Sequence, residues 1–203
     1  MAEIIQALNA QRFERYVRRM TTVVETLSDN EPKLLDTAET LLAELIREDD
    51  WLPCSFATPS EQSYRQYLLY RDRTNRFSIV SFVWQPGQTT PVHDHTIWGL
   101  VGVLRGEESC EEFAAPIAGT PMRKTGEHRL STGEVDRVSP NIGDVHRVSN
   151  LGSSTAVSIH VYGADIGATR RHVFDPGTGN PTDFVSGYSN NEFGPLLGPL
   201  NDN

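Results

Sequence analysis

Two histidines stand one residue apart in PVHDHTIWGLVGVLRGEE (residues 91–108), among β-branched, aromatic and small residues. Alternate side chains of a strand share one face, so His93 and His95 project to the same side with Cα atoms roughly 7 Å apart. That separation lets two imidazoles converge on one metal ion, at about 2.1 Å per metal–nitrogen bond in the zinc case. A solvent-facing pair on an exposed strand is the plain alternative, and the pair alone does not separate the two. A third imidazole stands in PNIGDVHRVSN (140–150), where Gly143, His146 and Asn150 keep the spacing G-x2-H-x3-N. Further on, SIHVY (158–162) alternates, so Ser158, His160 and Tyr162 share one strand face, opposite Val157, Ile159 and Val161. Buried hydroxyls and imidazoles need hydrogen-bond partners, which these three can supply to one another. A polar strand face in water is the other reading.

The elements that must position these groups follow from the texture of the chain. Residues 3–28 carry Ile4, Ile5, Leu8, Phe13, Tyr16, Val17, Met20, Val23, Val24 and Leu27 at helical spacing. A second helix is expected over 32–47, with Pro32 near its start and Leu34, Leu35, Ala38, Leu41, Leu42, Leu45 and Ile46 apolar. After Trp51 short β-forming runs take over: 64–72, 77–84, 92–106, 110–115, 127–133 and 153–163, split by Gly, Pro and Asn. Many short strands at regular spacing predict a β-sandwich or small barrel. The organisation expected is an N-terminal helical segment (1–50) packed on a barrel (51–175), with an extended arm (176–203) rich in Pro, Gly and Asn, all one domain.

The two-part pattern resembles the cupin family, whose first motif carries His-x-His on one strand and whose second supplies another His. Gly87, with five residues between it and His93, and Gly106 fit the first motif. The resemblance implies a mainly β jelly-roll barrel with N-terminal α-helices, and makes His93, His95 and His146 the metal ligands. Many cupins place a Glu soon after the second His as a fourth ligand; here Gly99 stands there, and TIWGLVGVLR holds no carboxylate. With the Ser158, His160 and Tyr162 set added, residues 60–175 resemble the cysteine dioxygenase family of thiol dioxygenases. Its members hold non-haem Fe(2+) on three histidines and add both atoms of O2 to a thiol sulfur, giving a sulfinate. The resemblance then puts Tyr162 near the iron as a hydrogen-bond donor, with His160 orienting its hydroxyl and Ser158 orienting the ring of His160. Three neutral imidazoles leave the ion its full charge, which suits a thiolate ligand.

Two departures bear on the substrate. Eukaryotic-type members carry a cysteine, linked to the tyrosine, near Gly99; Cys54 and Cys110 lie in the wrong segments to replace it. The same enzymes grip the substrate carboxylate with an arginine where alignment on Tyr64 places Gln66, with Arg65 on the other face. Glutamine there is similar to the bacterial 3-mercaptopropionate dioxygenases. An amide cannot make the bidentate clamp of Arg, so another cation is needed. Arg171 is the first candidate and Arg170 the second. His128 and His172 are read as structural, and Trp84 and Trp98 as core or pocket wall.

The formal charge of −9 argues against nucleic-acid or anionic-membrane partners. Two cysteines give no disulfide framework, and MAEIIQALNAQRFERYVRRM has no long apolar core; a cytoplasmic protein is expected. The partners expected are a small thiol carboxylate and O2. The function expected is therefore a thiol dioxygenase acting on 3-mercaptopropionate. The alternatives are cysteine as main substrate, a non-catalytic metal-binding cupin, and a zinc or nickel cupin of other chemistry.

Overall fold

The chain begins with two amphipathic helices, α1 (Ala2–Leu27) and α2 (Glu31–Ile46). The computed structural model describes residues 2–190 and 192–200, residues 2–10 by their backbone alone. The side chains of Ile4, Ile5 and Leu8 and the final residues of the arm therefore lie outside the described residues. Along α1, Phe13, Tyr16, Val17, Met20, Val23 and Val24 are buried, and along α2 so is the whole expected apolar set from Leu34 to Ile46. Asn30 caps α2 by accepting the Lys33 N–H at 3.2 Å, with Glu31 and Pro32 in the first turn, where an acid and a missing N–H are both tolerated.

Eleven strands follow: β1 (Arg65–Arg71), β2 (Ser78–Trp84), β3 (Val92–His93), β4 (Gly99–Arg105), β5 (Glu107–Phe113), β6 (Lys124–Ser131), β7 (Val135–Val138), β8 (His146–Ser149), β9 (Ala156–Tyr162), β10 (Arg171–Phe174) and β11 (Pro181–Phe184). They form two antiparallel sheets, β1-β2-β9-β4-β7 and β11-β10-β3-β8-β5-β6. This is the mainly β jelly-roll barrel with N-terminal helices that the sequence predicts.

The first sheet is covered on both faces, which explains why every residue of β2 and β9 is buried. Ile79, Val83, Val157, Ile159 and Val161 join the helices in one core. Val80, Phe82, Trp84, Ala156 and Tyr162 point the other way, into a second core that also takes Val148 of the facing sheet. The helices sit close because Gly102 of β4 has no side chain: a Cβ there would lie 3.0 Å from Leu42 Cγ and from Ile46 Cδ1. Burying a Leu or Ile side chain of this kind is worth about 1.5–3 kcal/mol.

The single strand expected over 92–106 is two. β3 stops at His93, and β4 starts at Gly99 after a turn in which Thr96 takes a φ of +62°. The physical reason is Asp144, whose carboxylate accepts the backbone N–H groups of His95 (3.0 Å) and Thr96 (2.9 Å) in place of a sheet partner. The runs expected over 110–115 and 127–133 begin three residues earlier, at Glu107 and Lys124, and β7, β8, β10 and β11 add strands not expected from the sequence. Beyond β11 the chain returns along the edge strand β1: Ser189 N–H donates to Gln66 O at 2.7 Å, and the Asn190 side chain both accepts from Leu68 N and donates to Leu68 O, each at 2.9 Å. An amide side chain thus substitutes for a strand residue and occupies an otherwise open edge. Among the described residues no helix is long and apolar enough to cross a membrane.

Candidate metal centre

His93 of β3 pairs in register with His146 of β8, and the turn after β3 swings His95 back beside them. The three ring centroids stand 4.8–4.9 Å apart, with one ligand nitrogen from each ring within 4.8 Å of the other two. His95 is 1% exposed, and the other two are also buried. Each ring spends its Nδ1 outward. His93 Nδ1 lies 3.1 Å from Pro91 O, His95 Nδ1 3.0 Å from Asp144 Oδ1, and His146 Nδ1 3.5 Å from Cys110 Sγ. Anchoring the outer nitrogen fixes the tautomer and aims Nε2 inward, the arrangement a metal-binding imidazole needs. Burial and then the neighbouring His95 push His93 down to about 3, and burial pushes His146 well below the usual imidazole range, so both rings are neutral donors. Burial works against ionising Asp144, but hydrogen bonds from the His95 ring and the His95 and Thr96 N–H groups hold its carboxyl below the ordinary value. The donor set fits a divalent cation, with no carboxylate in the cluster.

The β9 face expected to be polar is buried and internally satisfied. Ser158 Oγ lies 2.8 Å from His160 Nε2, and His160 Nδ1 lies 2.8 Å from Tyr162 Oη. The Tyr162 ring stacks on His95 at 5.4 Å with 19° between planes, which brings this chain to the edge of the histidine cluster. Burial keeps the Tyr162 phenol protonated and His160 neutral. Gly99 is the cross-strand partner of Tyr162, and a Cβ at this glycine would sit 2.7 Å from Tyr162 Cδ1. Position 99 is thus in contact with the tyrosine ring, which fills the space a side chain there would need.

A pocket of about 150 Å³ opens beside these groups, its wall including His93, Tyr162, Tyr64, Gln66, Arg171 and Ser186. Arg171, on β10, is 4% exposed and makes no ion pair among the described residues. Its guanidinium lies 4.5 Å over the Phe184 ring, its Nη2 donates to Ser186 Oγ at 2.8 Å, and its Nε has no partner among the described residues. Burial lowers its pKa, the mark of a cation short of compensation. Its neighbour Arg170 points outward and pairs with Asp183 at 3.0 Å. Gln66 lies in the pocket wall, but its Nε2 is already donating to Ser186 Oγ (3.2 Å) and Gly187 O (3.1 Å).

Other assignments resolve simply. His172 is held by Asp94 through both its backbone N–H and its Nδ1, at 2.8 Å each, and His128 Nε2 meets Asp136 at 2.9 Å. Trp84 is core, and its Nε1 donates to Ser158 Oγ at 3.3 Å. Sequence reasoning missed Asp144, although it stands two residues before His146 in the quoted block, and it missed Cys110 and Ser186, for which no local pattern speaks.

A jelly-roll barrel closing over three buried histidines, beside a buried Ser–His–Tyr chain, defines a cupin-type metal site. The profile of the cysteine dioxygenase type I family matches residues 49–174, and the chain belongs to that family. Solved structures of similar fold include a protein with a double-stranded β-helix domain from Klebsiella pneumoniae (18% identity, 67% of this chain and 97% of that one, TM-score 0.45). Others are a cupin superfamily protein from Desulfitobacterium hafniense (17%, 58% and 94%, 0.43) and oxalate oxidase with the substrate analogue glycolate (16%, 64% and 59%, 0.42).

Proposed function

We propose that this chain is an iron thiol dioxygenase that converts a short carboxylated thiol and O2 to the sulfinate, with 3-mercaptopropionate as the preferred substrate. His93, His95 and His146 hold Fe(2+). When bound, iron supplies the charge that keeps a thiol deprotonated and the redox chemistry that carries both oxygen atoms to its sulfur. The chain's own residues do the rest. Arg171 anchors the substrate carboxylate, and Gln66 and Phe184 hold Ser186 and the guanidinium in place. Tyr162 presents its hydroxyl at the reacting end, oriented by His160 and Ser158. The pocket walls exclude water, so the thiol and O2 meet in one orientation.

The observation that carries this reading is Arg171, a buried cation without an ion pair among the described residues, in the same pocket wall as His93 and Tyr162. An anion completes it. The choice between thiols rests on the same wall, whose residues include no carboxylate. The α-ammonium of cysteine has no anionic partner there and would lie near a guanidinium, whereas 3-mercaptopropionate lacks the ammonium. The test is metal analysis followed by oxygen uptake by the iron-loaded protein across a panel of thiols. The expected result is one O2 consumed per sulfinate formed, with kcat/KM highest for 3-mercaptopropionate. Failure to retain iron, or no uptake with any thiol, overturns the activity; a higher kcat/KM for cysteine overturns the substrate.

A further inference from the structure

One buried acid takes no part in the site as described so far. Glu108, on β5, is 1% exposed, and among the described residues neither of its carboxylate oxygens has a hydrogen-bond partner of ordinary geometry. An acid so buried and unpartnered is costly unless something uses it. Its side chain points between the sheets toward the Ser158 hydroxyl and the Trp84 indole N–H, the two groups near enough to favour its ionised form. Ser158 is the inner end of the chain that leads through His160 to Tyr162.

Proton counting makes that neighbour important. His160 is neutral, so its ring carries a single proton, yet both ring nitrogens are engaged, by Ser158 and by Tyr162. The chain must therefore point one way or the other. If Glu108 is a neutral acid, it donates to Ser158 Oγ, Ser158 donates to His160 Nε2, and Nδ1–H donates to Tyr162 Oη, leaving the phenol proton free for the pocket. If Glu108 is ionised, Ser158 donates to it instead. His160 Nε2–H then donates to Ser158, and bare Nδ1 takes the hydrogen bond of the Tyr162 hydroxyl. In that state Tyr162 can only accept on the pocket side.

We propose that Glu108 is a positioning residue that terminates the Ser158–His160–Tyr162 chain, and that its proton decides whether Tyr162 donates or accepts a hydrogen bond in the pocket. Its surroundings leave it free to do so. Across its own sheet it meets Leu130 of β6, and from the facing sheet Trp84 and Ser158. On the face of β5 that carries Glu108 stand Cys110 and Glu112, the latter 3.4 Å from His128 of β6, with Asp136 of β7 on the other side of that imidazole. His146 of β8 and His160 and Tyr162 of β9 complete the titratable groups on this side, while Glu107, Glu111, Glu127, Arg129 and Arg147 belong to the opposite face. Burial keeps Cys110, His146, His160 and Tyr162 uncharged, and His128 is engaged by Asp136. Burial also raises the Glu108 carboxyl to about 7, so both states are accessible near neutrality.

The inference rests on the reading of Tyr162 as a pocket group, but its test needs no turnover. Ring 15N spectra of the full-length chain, with Zn2+ added as a diamagnetic occupant of the histidine site, report the His160 tautomer from about pH 5.5 to about pH 8.5. The Nδ1–H form is expected to fall from above about nine-tenths to below about one-tenth of the population across that range. In Glu108→Gln, whose amide donates to Ser158 at every pH, the ring stays in the Nδ1–H form throughout. A wild-type tautomer that does not change with pH overturns the proposal without recourse to any variant. So does a variant that keeps the wild-type change. Absence of thiol oxidation would overturn the enzymatic reading and leave this result standing.

Discussion

Glu108 also makes a thermodynamic prediction that can be worked to a number. In the unfolded chain its carboxyl titrates at the ordinary 4.5, and in the folded chain at about 7. Between those values the unfolded state has released the proton and the folded state still holds it, so the unfolded state binds fewer protons and stability falls as pH rises. The penalty is absent below 4.5, grows up to about 7 and is constant above it. At about 1.4 kcal/mol per pH unit, that interval amounts to about 3.5 kcal/mol, of which about 3 kcal/mol develops between about pH 4.5 and about pH 8. Glu108→Gln removes the ionisation and leaves the shape. The imperfect burial of an amide costs the same at either pH, and the depressed histidines titrate identically in both proteins, so both cancel in the comparison. Urea denaturation of the two proteins at about pH 4.5 and about pH 8 should show the variant gaining about 3 kcal/mol on the wild type between the two conditions. In thermal melts this is a relative rise of roughly 6–12 °C for a chain of this size. A difference in stability that does not change with pH would show that the acid is not protonated in the folded protein at neutral pH, and would refute the reasoning.

Three other outcomes follow from the geometry. Leu42→Ala removes a fully buried side chain at the contact of α2 with Gly102 and should cost about 2–5 kcal/mol in urea denaturation, with iron content per folded chain unchanged. Gly99→Ala puts a methyl group 2.7 Å from Tyr162 Cδ1, so the ring must move off His95. The expected result is a fall in kcat of at least about tenfold with KM little altered, and an unchanged kcat would detach the ring position from catalysis. Arg171→Met removes a charge-assisted contact of about 2–3 kcal/mol, so KM for a carboxylated thiol should rise roughly 30- to 150-fold while a thiol lacking the carboxylate keeps its value.

What could be read from the chain depended on the range of the causes involved. Alternation within β9 places Ser158, His160 and Tyr162 on one face by local geometry alone, and the hydrogen bonds at 2.8 Å follow from it. The break after His93 could not be read locally, because its cause is the Asp144 carboxylate, 49 residues along the chain. β5 hid Glu108 for a different reason. In GEESCEEF the acids read as a solvated run, and a period of two says which residues share a face but not which face meets Ser158. Arg170 and Arg171 are adjacent and must point apart, so one of them faces inward; only Phe184 and Ser186, contributed by the return segment, show which. Rich in Pro, Gly and Asn, that segment has the composition of an extended arm. Its β11 pairs with β10, and Asn190 binds β1 through a side chain, a contact for which strand patterns carry no signal.

The return segment also sets when the pocket exists. Ser186, which bridges Gln66 and Arg171, and Phe184, on which the guanidinium rests, come later in the chain than every strand that carries a histidine of the cluster. The three imidazoles and Arg171 are therefore complete in the chain before the two side chains that seat the guanidinium are added. A polypeptide cut short before Pro181 would keep the histidines and Arg171 and lose the ring and the hydroxyl that fix where the guanidinium points.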